Sequence, residues 1–147
     1  KRKEGESMKI VIIDGQGGKM GKSVIEQLKK RFPSLETYAI GTNSIATSAM
    51  LKAGATYGAT GENPAIVNAQ DADIIIGPIG IVMANSLLGE ITPAMATAIG
   101  ISKAYKILIP VNRCNHYIVG CQNSTLSDYI NMVCDEVGKE AGINENH

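Results

Sequence analysis

The sequence predicts an α/β fold of three layers, αβα, doubly wound about a mostly parallel sheet of five to six strands. Three observations carry this reading. Short β-branched runs alternate with helix-length segments, as in chains that build a sheet with helices on both faces. The run Ile74-Ile75-Ile76 is continuously apolar, which a strand buried on both faces requires. A glycine-rich loop, residues 14–21, joins the first strand to the first helix.

Lys9–Ile13 is the first strand, ending at Asp14-Gly15. Residues 20–32 follow with Met20, Val24, Ile25, Leu28 and Phe32 on one helical face, and Pro33 stops the helix. Thr37–Ile40 is the second strand and ends in Gly41. Thr42, Asn43 and Ser44 are suitable N-caps for a helix over 45–53, closed by Gly54. That helix is almost free of charge, so it is expected to be covered on both sides. Ala55–Ala59 reads as a third strand. Asn63-Pro64 reads as an N-cap followed by proline at the first helical position.

The strand at 73–77 leads into the loop Gly77-Pro78-Ile79-Gly80, with a helix expected over 81–88. Thr92-Pro93 opens another helix, closed by Gly100. Tyr105–Ile109 is a buried strand and Tyr117–Cys121 a further one at an edge. The last helix carries Leu126, Tyr129, Ile130, Val133, Cys134 and Val137 on one stripe, with Thr125 and Asp128 as a capping box.

Right-handed crossovers bring the carboxyl ends of parallel strands to one edge. The loops at 14–21, 41–44, 58–63, 77–80 and 110–115 therefore gather there. The topological switch, where ligands of such sheets bind, falls between the first strand and the strand at 73–77.

Composition narrows the classes. The chain has 147 residues, 44% apolar and 19% charged, with formal net charge zero. A nucleic-acid surface needs a positive field, and a single phenylalanine with five tyrosines makes a poor stacking platform. No apolar run approaches the ~20 residues of a membrane helix. Residues 1–7 read as a solvated tail or expression remnant and 8–147 as a single domain. Cys114, Cys121 and Cys134 are odd in number and irregularly spaced, unlike a disulfide framework, which points to the cytoplasm.

The loop Asp14-Gly15-Gln16-Gly17-Gly18-Lys19-Met20-Gly21 has the spacing G-x-x-G-x-x-G at 15, 18 and 21. It is a cousin of the G-x-G-x-x-G dinucleotide fingerprint. Backbone N–H groups and the dipole at a helix start favour a phosphate, and glycine lets it approach. The competing reading is a tight turn whose glycines serve packing alone. A P-loop fails by one residue: Gly21-Lys22-Ser23 ends it, but its first glycine falls on Gln16. The second strand ends in Gly41-Thr42-Asn43-Ser44 with no acid for a ribose 2′-OH. Those side chains suit a 2′-phosphate, so NADP or another nucleotide is the expected cofactor, unless they merely cap the next helix. Gly77, Pro78, Ile79 and Gly80 complete the expected cofactor site.

These residues also carry a resemblance. The motifs DGQGG at 14–18, GTNSIAT at 41–47, MLKAGA at 50–55, GATGEN at 58–63, GPIG at 77–80, LGEITP at 88–93 and Ile109-Pro110 resemble a small bacterial family of Rossmann-like proteins classed as a domain of unknown function. The resemblance covers about 8–137. It implies an intracellular Rossmann-like fold and no particular substrate. Gly18-Lys19-Met20-Gly21 is also similar to the glycine loop of prephenate dehydrogenases and dihydrodipicolinate reductases. Those enzymes add a second, catalytic domain, for which 147 residues leave no room, so this likeness speaks for cofactor binding more than for reduction.

Titratable groups are scarce near the expected cleft. Asp14 either stiffens the turn or contacts ribose, metal or water. Glu62, Asn63, Asn112 and Arg113 are candidates for substrate contact, Arg113 through its planar fork. Glu90 reads equally well as a solvated loop charge. Cys114 near His116 does not establish a nucleophile pair, and Cys114, His116 and Cys121 have no recognised metal spacing, so no metal is expected. Three functions stay open: a nucleotide-binding module, with a regulatory role among its readings; a small reductase or transferase completed by oligomerisation; or an interaction subunit with an architectural loop. The nearly chargeless stretch 74–101 suggests a homodimer.

Overall fold

The structure, a computed structural model, describes residues 7–111 and 115–143. Its strands are β1 (Ile10–Asp14), β2 (Tyr38–Gly41), β3 (Tyr57–Thr60), β4 (Ile74–Pro78) and β5 (Tyr105–Ile109). Its helices are α1 (Lys19–Arg31), α2 (Ser44–Lys52), α3 (Glu62–Asp71), α4 (Pro93–Ile101) and α5 (Leu126–Ala141), with a 3₁₀ turn at Ile79–Val82. The sheet order is β3-β2-β1-β4-β5 and every pairing is parallel.

Strand alternation sorts the core into two layers. Ile10, Ile12, Ile74 and Ile76 face α1 and α5, meeting Val24, Ile25, Leu28, Phe32, Val133, Cys134 and Val137. Val11, Ile13 and Ile75 face α3 and α4, meeting Ala65, Ala69, Met95 and Ile99. β1 and β4 are buried along their whole length, as the continuous apolar runs demand. Each fully buried isoleucine contributes about 1.5–3 kcal/mol, which makes the two central strands the fixed frame of the molecule. Asn43 caps α2 through Ala46 N–H, Thr92 caps α4 and Thr125 caps α5.

The register aligns the carboxyl ends. Asp14 pairs with Gly41 and Gly41 with Thr60, while Pro78 pairs with Ile109. Order reverses at β1, so the crevice between β1 and β4 is the switch point, as expected.

Several local expectations are corrected. Residues 81–88 are not a helix: Asn85, Leu87, Leu88 and Gly89 all have positive φ, which a right-handed helix forbids. Tyr117–Cys121 is not a strand. Gly120 turns at φ 81, and Cys121 N–H closes a turn on the Ile118 carbonyl. The α3 N-cap is Gly61, at φ 106, and Asn63 lies inside the first turn. α2 is covered on one side only: Ala46, Thr47 and Met50 are buried, while Ile45 and Leu51 face solvent. Gly100 lies within α4 instead of closing it.

Candidate functional site

The glycine loop folds as a turn closed by the Gly18 N–H on the Gly15 carbonyl, with Gln16 and Gly18 both in left-handed backbone. Gly18 is the N-cap of α1. A Cβ on Gly18 would lie 2.7 Å from the Ala46 Cα, so this glycine lets α1 approach α2. Gly17 has no atom within 4 Å of where its Cβ would stand. Gly21 is packed against Met50 and Asp14.

Two carboxylates serve this loop. Asp14, buried at the end of β1, accepts Gly15 N–H at 2.8 Å and Gly21 N–H at 2.7 Å. Burial pushes its carboxyl above the usual 3.8; the amides of Gly21 and Gly15 oppose that, and the nearby Glu90 charge adds to it. Glu90 comes from beyond β4. Its Oε1 accepts Gln16 N–H at 2.7 Å and the Thr42 hydroxyl at 2.8 Å, and its Oε2 accepts Asn43 Nδ2 at 3.2 Å. The loop's amides are thus partly occupied: the protein's own oxygens hold those of Gly15, Gln16, Gly18 and Gly21. Among the described residues, the amides of Gly17 and Lys19 have no hydrogen-bond acceptor.

A cavity of about 270 Å³ lies against this loop, lined by residues 14–20 with Leu87, Val111 and Leu126. A second, of about 780 Å³, continues past Gln16, Leu87 and Val111 to Pro78, Gly80, Ser86 and His116. Together they form the crevice at the β1/β4 switch.

The expected site residues divide accordingly. Asp14, Gly15, Gln16, Gly17, Gly18, Lys19 and Met20 line the first cavity, and Pro78 and Gly80 the second. Gly77 is buried against the Ile13 carbonyl and Ile79 sits in the 3₁₀ turn. Gly41 is held against Thr47, while Thr42 and Asn43 bond Glu90. Ser44 is exposed on a separate groove between α1 and α2. Glu62 and Asn63 are exposed on the first turn of α3 and line neither cavity. Asn112, Arg113 and Cys114 lie outside the described residues. Cys134 is buried in the core, and Cys121 lies 3.6 Å from the Tyr129 hydroxyl. No group of three or more His, Cys, Asp or Glu among the described residues is placed to hold a metal.

Sequence reasoning overlooked the role of Glu90. It treated the end of β2 as lacking an acid, yet Glu90 supplies one there from 48 residues further along the chain. No local pattern signals a contact of that separation. Leu87, which touches both cavities, was hidden by the expected helix.

No helix among the described residues is long and apolar enough to cross a membrane. No curated protein matches the chain. Among solved structures, the chain is similar to a dodecameric FMN-dependent UbiX-like decarboxylase from Escherichia coli O157:H7, at 13% identity and a TM-score of 0.45 over 95% of this chain and 98% of that one. A family model matches residues 9–142, so the chain belongs to the family described as a domain of unknown function, DUF3842.

Proposed function

We propose that the chain binds a phosphate-bearing nucleotide in the crevice between β1 and β4. The observation that carries this reading is that the glycine loop forms a wall of a cavity at the switch point. Its Gly17 and Lys19 amides, without an acceptor among the described residues, lie at the start of α1, where the helix dipole favours an anion. The phosphate sits at the Gly17–Lys19 end, because Asp14 and Glu90 already hold the amides on either side of it. Lys19 is exposed at that end and offers a positive charge. Leu87, Val111 and Leu126 give the base or sugar an apolar wall.

One observation favours a second reading, that the loop is architectural. Four of its amides, those of Gly15, Gln16, Gly18 and Gly21, are satisfied internally, and Gly15, Gly18 and Gly21 each have a packing reason to be glycine. Calorimetric titration with AMP, ATP, FMN, NAD and NADP separates the two. The nucleotide reading expects at least one to bind in the micromolar to low millimolar range, and Gly17→Val to weaken it about tenfold or more. Failure of all five to bind supports the architectural reading.

A further inference from the structure

Resting on that nucleotide reading, we infer that Glu90 limits the ligand to a single nucleotide held on the β4–β5 side of the crevice. A dinucleotide on a doubly wound sheet spans the switch point. One nucleoside lies beyond the end of β2, the other beyond β4, and the pyrophosphate crosses the glycine loop between them. In this chain that crossing is occupied. The Glu90 carboxylate lies over Gly15 and is tied at once to the loop through Gln16 N–H and to the end of β2 through Thr42 and Asn43. A Cβ on Gly15 would stand 2.5 Å from Glu90 Oε1 and 3.3 Å from Leu87 Cδ1, which measures how closely both side chains lie on the loop. A pyrophosphate there meets a filled volume and a negative charge.

The segment that carries Glu90 is braced from its own side. Ile91 is fully buried, Asn85 N–H bonds the Ile91 carbonyl at 2.7 Å, and Ile91 N–H bonds the Ser86 carbonyl at 3.2 Å. Ser86 Oγ in turn bonds the Gly80 carbonyl. Glu90 is thus a fixed bar whose foot is the buried Ile91. The open volume lies on the other side of it: the cavities of about 270 and 780 Å³ share Gln16, Leu87 and Val111 and extend toward Pro78 and His116. A phosphate at Gly17–Lys19 with its nucleoside running along Leu87 and Val111 fits without moving Glu90.

The test is calorimetric titration of the wild type, Glu90→Ala and Glu90→Gln with AMP and FMN as mononucleotides and NAD and NADP as dinucleotides. The wild type is expected to prefer the mononucleotides about tenfold or more. Glu90→Ala removes the bar and raises dinucleotide affinity about tenfold relative to mononucleotide affinity. Glu90→Gln keeps the side-chain volume and the acceptor for Gln16 N–H and Thr42 while removing the charge, so it keeps the steric part of the exclusion. Dinucleotide binding to the wild type or to Glu90→Gln as tight as that of AMP overturns the inference. So does a folded Glu90→Ala that binds AMP and still rejects NAD. Those failures leave the nucleotide reading standing. If no probe binds any of the three proteins, the nucleotide reading itself falls and takes this inference with it.

Discussion

Two adjacent glycines should respond in opposite ways to the same substitution. Gly18 sits at φ 73, and a Cβ there would press within 2.7 Å of the Ala46 Cα and 2.9 Å of its carbonyl oxygen. Those are backbone atoms of α2, so nothing flexible can yield. Left-handed backbone costs a branched residue about 1–2 kcal/mol. Forcing the helices apart adds about 1–3 kcal/mol. Gly18→Val should therefore lose about 2–5 kcal/mol, or roughly 8–20 °C in Tm for a chain of this size. Gly17 lacks both penalties: its φ is not in the left-handed region and its Cβ would meet no atom within 4 Å. Gly17→Val should stay within about 0.5 kcal/mol of the wild type, while placing a side chain at the wall of the cavity. Differential scanning calorimetry reads both, with AMP titration on the folded variant. The division of labour between the two glycines is refuted if Gly18→Val melts within about 2 °C of the wild type, or if Gly17→Val melts as early as Gly18→Val.

Acid should favour the wild type over Asp14→Asn. The Asp14 carboxyl is raised above 3.8 by burial, so protonation is easier in the folded than in the unfolded chain. Its stabilising contribution is fully present below the unfolded pKa and lost as pH rises through the folded one. The Tm of the wild type minus that of Asp14→Asn should therefore increase from neutral pH towards about 4, and a flat or falling difference contradicts the assignment. Thr92 Oγ1 caps Met95 N–H at 3.1 Å, so Thr92→Ala should cost about 1 kcal/mol in urea denaturation. Leu88 is 95% exposed at φ 55, a conformation asparagine tolerates. Leu88→Asn should hold or raise stability, by up to about 1 kcal/mol; a clear loss would mean that Leu88 makes contacts its exposure does not suggest.

The frame of the fold was legible because its signals are local or periodic. The run at 74–76 could only be a strand buried on both faces, and the alternation of runs and helices fixed the switch between β1 and β4. Caps at Asn43, Thr92 and Thr125 were readable because a cap lies three residues from the amide it serves. The segment 83–91 was not. Its apolar composition resembles a helix, but the left-handed residues there are held by hydrogen bonds within the segment, and a propensity argument does not weigh those. The role of Glu90 was out of reach for a different reason, because it meets Gln16 across 74 positions. The glycines show the same limit. Their spacing announced a loop, while only the packing distinguishes Gly17, open to the cavity, from Gly18, wedged on α2.

The claim on which the rest depends is that a nucleotide phosphate rests on the amides at the start of α1. Amide nitrogen–proton correlation spectra recorded during titration with AMP test it most directly. The Gly17, Gly18 and Lys19 resonances are expected to move together and saturably, with Leu87 and Val111 following, while Thr42 and Asn43 at the end of β2 stay in place. Saturating AMP that leaves residues 17–19 unmoved, or moves resonances on α3 and the end of β2 instead, would contradict it.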